Sequence, residues 1–204
     1  MFYLLADSTA LFKPSSLCLS HLSKRLGRHA KIAYVGAANG DVEEYFELFR
    51  AAVQSLQPSR IIHVRFPFED AALQQLADSD LVVLAGGDVA AGWTKFADVR
   101  FQSVCADLFA RGCSWMGVSA GAVHLGAGFM GALPWFIGAH EEANQWRETL
   151  AAYHQFEFSG TGIGCLGLMS GAAVFVGHEF EMEILAGQIL WLNPDEGGAE
   201  YAKS

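Results

Sequence analysis

The sequence predicts an α/β three-layer sandwich with a mainly parallel sheet, on three observations. Short apolar runs alternate with stretches of helical spacing, the signature of repeated βα units. Glycine-rich loops follow the runs after Val35, Ala85 and Val118, where a parallel sheet gathers its ligands beyond the carboxyl ends of the strands. The 204 residues are 52% hydrophobic and 17% charged, enough apolar surface to cover both faces of a sheet without disulfides or metals.

The elements follow in order. Residues 1–6 form an opening strand, too short for a signal core and without a basic leader. Residues 15–28 place Leu17, Leu19, Leu22 and Leu26 among polar positions, with basic residues late, where the helix dipole favours them. Strand 31–35 closes on Gly36, and residues 41–56 carry Val42, Tyr45, Phe46, Phe49 and Val53 at helical spacing. A strand over 61–64, a helix over 68–77 and a buried strand over 81–85 lead to Gly86-Gly87-Asp88. One helix is expected over 93–110, then a strand over 114–118. The last third reads as a helix over 141–153 and three short strands, 171–176, 181–185 and 188–192, separated by glycine turns, an antiparallel finish. Neither a repeat nor a linker divides the chain, so residues 1–204 are expected to form one domain.

Charge and cysteine usage exclude several functions. A formal charge of −9 repels nucleic acid and acidic lipid, and no stretch approaches the about 20 apolar residues that cross a bilayer. Cys18, Cys105, Cys113 and Cys165 form no Cys-x-x-Cys pair and no metal-like spacing with histidine. Neither a metal nor a cofactor is implied, and reduced thiols fit a cytoplasmic location. An exposed subset of Trp93, Phe96, Phe101, Trp135, Phe136 and Trp146 would provide a homodimer face or a substrate wall.

The chemistry concentrates at Gly117-Val118-Ser119-Ala120-Gly121. Small residues two before and two after a serine permit a sharp strand-to-helix turn that lifts the hydroxyl above the sheet, making Ser119 a candidate nucleophile. Its position at a helix start supplies unpaired N–H groups and the positive end of the dipole for an oxyanion. The competing reading is an ordinary serine N-cap.

With Lys31-Ile-Ala-Tyr-Val-Gly-Ala-Ala, the Gly86-Gly87-Asp88 loop, Gly117-Val-Ser-Ala-Gly-Ala122 and the closing strands over 171–192, the chain resembles the peptidase E and cyanophycinase group of serine peptidases. That resemblance implies a flavodoxin-like, class I glutamine amidotransferase-like fold. It also implies Ser119 as nucleophile, an oxyanion hole from the N–H groups of Gly87 and Ala120, no cofactor, and a short aspartyl peptide or isopeptide as substrate. The family's histidine follows a short strand and precedes an arginine-bearing helix, a form matched by Ile137-Gly-Ala-His140 through Arg147, so His140 is the expected base. His178, after Val174-Phe-Val-Gly177, is its rival; His124 reads as a packing or surface histidine.

Two departures accompany the resemblance. The connection from Ser119 to His140 is shorter than the family's usual one. The family's glutamate, just before the Gly-Ala-Ala-like strand, falls on Met169 or Ser170, where there is no carboxylate. Glu141, Glu157 or Glu179 could substitute; these and Glu142, Glu181 and Glu183 otherwise read as solvated faces. The expected function is therefore a serine hydrolase, with a non-catalytic binding module as the alternative and an esterase or acyltransferase as the third reading.

Overall fold

The computed structural model describes residues 1–13, 16–27, 29–155, 164–193 and 198–201. Its first half runs β1 (Phe2–Leu5), α1 (Thr9–Phe12), α2 (Leu17–Leu26), β2 (Lys31–Val35), α3 (Glu43–Val53), β3 (Arg60–Val64), α4 (Asp70–Ala77), β4 (Leu81–Leu84), α5 (Val89–Phe96) and α6 (Val99–Ala110). Then come β5 (Ser114–Val118), α7 (Ala120–Leu125), β6 (Trp135–Ala139), α8 (Arg147–Gln155), β7 (Gly164–Leu168), β8 (Ala173–Val176), β9 (Met182–Ala186), β10 (Ile189–Asn193) and β11 (Gly198–Tyr201).

The main sheet has the order β3-β2-β4-β5-β1-β8-β9. β3, β2, β4, β5 and β1 are parallel; β8 returns antiparallel to β1, and β9 antiparallel to β8. Alternation along each strand divides the core in two. In β1, Tyr3 and Leu5 pack on one face with Leu11, Leu22, Phe46, Phe49 and Val53 of α1, α2 and α3. Leu4, between them, packs on the other face with Leu76, Phe96, Phe101 and Leu108 of α4, α5 and α6. The inner positions of β4, Leu81 to Leu84, are all buried, as a strand covered on both faces requires.

A second sheet, β11-β10-β7-β6, lies against the α7 side. Its inward residues Ile137, Leu166, Leu168 and Ile189 join the same core as α7's Ala122 and Leu125. Its outward residues Phe136, Cys165 and Leu190 pack around Trp146 beside α8. Gly167 makes this possible, since a Cβ there would meet the Trp146 ring at 2.9 Å.

Three expectations are corrected. The helix expected over 93–110 is two, because Asp98 caps the second by accepting from Arg100 N–H and Phe101 N–H. The helix expected over 141–153 opens as a 3-10 turn at Glu142–Asn144, reverses through left-handed Gln145 and Trp146, and becomes α8 only at Arg147. Among the closing strands, β8 and β9 extend the main sheet, whereas β10 belongs to the second sheet, paired antiparallel with β7. Phe96, Phe101, Phe136 and Trp146 are core residues. No described helix is long and apolar enough to cross a membrane.

His21, His63 and His124 all have pKa values lowered primarily by burial. A folded pKa below the free value of about 6.5 means that the unfolded chain binds protons first, so stability is full above that pH and declines as pH falls below it. The urea midpoint is therefore expected to fall between pH 7.5 and pH 5.5; an unchanged midpoint would contradict the burial of these rings.

Candidate active site

The site lies where the carboxyl ends of β1, β2, β4 and β5 meet the end of β6. Ser119 follows β5 directly and adopts φ 51°, ψ −117°, a conformation costing on the order of 1–3 kcal/mol for a residue with a Cβ. Its backbone is fixed on both sides: its N–H donates to Leu5 O at 2.8 Å, and its carbonyl accepts from Ala122 N–H and Val123 N–H. Its hydroxyl makes no cap bond to α7. Instead, Ser119 Oγ lies 2.7 Å from His140 Nε2.

The flanking glycines have separate steric causes. A Cβ on Gly117 would approach Ala122 Cα to 2.5 Å, and one on Gly121 would approach Leu84 O to 2.0 Å. Their absence lets α7 settle onto β5 and β4, placing the helix start beneath the serine. Gly86 passes so close that a Cβ there would meet Ser119 Cβ at 3.3 Å. Gly87, at φ 147°, presses on the 3-10 turn Ala37–Asn39, where a Cβ would lie 2.2 Å from Ala38 O. Asp88 N–H donates back to Ala38 O at 2.9 Å, and the Asp88 carboxylate caps α5.

Among the described residues, no hydrogen bond occupies the N–H of Gly87 or of Ala120. Gly87, Ser119, Ala120 and His140 line one cavity of about 790 Å³. The four residues singled out in the sequence are thus brought together. His140 closes β6 with φ 47°, and its N–H donates to Leu168 O of β7 at 2.8 Å. His178 stands elsewhere. It follows β8, which runs opposite to β1, and lines a separate depression with Met1, Phe109 and Gly112. His124 is fully buried, its Nε2 2.9 Å from Val89 O at the start of α5.

Carboxylates surround the imidazole without bonding to it. Among the described residues, none is hydrogen-bonded to His140, whose ring partner is Ser119. Asp7, just after β1, accepts from Thr9 N–H at 2.8 Å, from the Thr9 hydroxyl, and from Gly171 N–H at 2.7 Å. Glu142 accepts from the N–H and hydroxyl of Ser170, and its other oxygen is buried without a partner. Burial raises both carboxyls, but these hydrogen bonds and the nearby His140 more than offset it, and both pKa values lie below the ordinary range.

The expected substitutes are placed differently. Glu141 turns to Thr149, bonding its hydroxyl at 2.6 Å and its N–H at 3.2 Å. Glu179 sits in the exposed β8–β9 connection beside His178, and Glu157 lies outside the described residues. Neither Asp7 nor Glu142 was singled out as a substitute in the sequence. For Asp7, its place at the carboxyl end of an inner strand was the available signal. For Glu142 there was only its spacing of two from His140. Among the described residues, no group of three metal-ligating side chains is present.

The model of peptidase family S51 matches residues 3–131, more than half of the chain. The chain belongs to peptidase family S51. The S51 match contains Gly87, Ser119 and Ala120 but ends before His140. Among solved structures, a peptidase from an acI-B1 Actinobacterium shares the fold at TM-score 0.72 and 13% identity, over 100% of this chain and 94% of that one. A putative peptidase E protein from Listeria monocytogenes EGD-e does so at TM-score 0.68 and 14% identity, over 90% and 96%. No curated protein matches the sequence.

Gly87→Ala tests the close approach directly. Overlap with Ala38 O and the glycine-favouring φ should destabilise the fold by about 1–3 kcal/mol or displace the loop. A thermal unfolding midpoint equal to that of wild type would show that the loop does not need this contact.

Proposed function

We propose that this S51 chain is a serine hydrolase acting on short peptides, with Ser119 as nucleophile and His140 as general base and then general acid. The observation carrying this reading is the 2.7 Å contact between Ser119 Oγ and His140 Nε2, made by a serine that forgoes helix capping. In this mechanism Nε2 removes the hydroxyl proton as Oγ attacks the substrate carbonyl carbon. The carbonyl oxygen takes up negative charge facing Gly87 N–H and Ala120 N–H, two donors with no other described acceptor. His140 then returns the proton to the leaving amine, and water releases the acyl group by the same steps in reverse. Asp7 and Glu142 favour the imidazolium that forms between these steps by charge rather than by direct contact.

The aspartyl side chain implied by the family resemblance is not part of this proposal. Among the described residues, neither cavity beside Ser119 has a lysine or arginine on its wall. The second reading, a binding module on a peptidase fold, is favoured by one observation: among the described residues, no carboxylate bonds to the His140 ring.

Labelling with a fluorophosphonate probe separates the two. Wild type should label, Ser119→Ala should not, and His140→Ala should label about 10²-fold more slowly or worse. A folded wild type that does not label overturns the hydrolase and leaves the module.

A second expectation concerns the carboxylates. Glu142→Gln should lower kcat about 10-fold with KM little changed, well short of the about 10⁴-fold loss when a directly bonded triad acid is neutralised. An unchanged kcat would remove Glu142 from the mechanism.

A further inference from the structure

A second cavity, of about 590 Å³, opens on the other side of the Ser119–His140 pair. Its far wall is made by Leu11 and Phe12 of α1, Tyr34 of β2, and Tyr45, Leu48 and Phe49 of α3. Phe12, Tyr45 and Leu48 are 50%, 53% and 55% exposed, so three large apolar side chains converge on the catalytic edge without being covered. Among the described residues, the acidic groups on the wall are Asp7, held by Thr9 and Gly171, and Asp88, held by the start of α5.

We propose, on the hydrolase reading above, that this cavity binds the residue on the acyl side of the scissile bond and selects a large apolar side chain, aromatic or branched aliphatic. The side follows from proton transfer. His140 must reach the leaving group, and the 790 Å³ cavity is the one walled by its own loop through Ala139, Glu141, Ala143 and Asn144. The leaving amine departs there, and the acyl residue occupies the opposite cavity.

The selectivity follows from the walls. An apolar side chain covers the exposed faces of Phe12, Tyr45 and Leu48 and removes that area from water. An acidic side chain would lose hydration against the same surface and face Asp7 and Asp88, with no lysine or arginine among the described lining residues to offset them.

The test uses N-acetyl amino-acid p-nitrophenyl esters carrying phenylalanine, leucine, alanine or aspartate, which share one leaving group and differ only on the acyl side. Rates are corrected with Ser119→Ala. The phenylalanine and leucine esters should exceed the alanine ester about 10- to 100-fold in kcat/KM, with aspartate lowest. Leu48→Asp, at an exposed position that leaves the core intact, should bring the phenylalanine-to-alanine ratio toward unity. An aspartyl ester that is fastest, or a ratio unmoved by Leu48→Asp, overturns the proposal even if fluorophosphonate labels Ser119. Should labelling fail, binding still decides the cavity: calorimetry should find N-acetylphenylalaninamide bound more tightly than N-acetylaspartic acid amide. Equal or reversed affinities overturn it.

Discussion

The rest of the site depends on how closely α7 approaches the sheet. Gly117 and Gly121 bring the helix backbone within a distance that no side chain could occupy, against β5 on one side and the end of β4 on the other. That approach accompanies the unusual conformation of the turn at Ser119, and the N–H of Ala120 behind it has no described acceptor. The Gly86-Gly87 loop is under the same constraint from the neighbouring strand, wedged between Ser119 and the turn after β2. Strain at Ser119 is thus maintained by packing on several sides, as strained backbone requires.

His140 comes from a different layer. It ends a strand of the second sheet, tied to β7 through its N–H, and reaches the serine because that sheet buries Ile137, Leu166 and Leu168 against α7. Its surroundings come from still other segments. Ser170, standing where the family resemblance places an acid, holds Glu142, and neighbouring Gly171 holds Asp7. The loop before β8 therefore organises the charge around the imidazole while contributing none itself.

The parallel half of the fold was legible because its strands are continuous apolar runs bounded by glycine, the pattern of strands covered on both faces. The serine turn was legible for the same steric reason that makes it work. The second sheet was not, since Gly164-Cys-Leu-Gly-Leu168 pairs glycine with the apolar residues and loses its period where Trp146 needs the space. Asp98 read as one polar position on a helix although it starts one. Glu142 read as a solvated carboxylate because its partner, Ser170, is a tertiary neighbour. On α3, Phe46, Phe49 and Val53 mark the core stripe. Tyr45 and Leu48 form a second apolar stripe at a spacing of three, a signal whose meaning depends on the cavity beside it.

The Ser119–His140 contact crosses the seam between two sheets, and the family model ends on the serine side of that seam. The two partners are therefore held by different constraints: the serine by glycine-limited backbone packing, which tolerates almost no substitution, and the histidine by apolar side chains that its sheet buries against α7. A lineage built on this plan can preserve its serine turn nearly unchanged while the segment carrying the histidine drifts in length and sequence. The shape of the cavities beside Ser119 can then diversify without that turn being rebuilt.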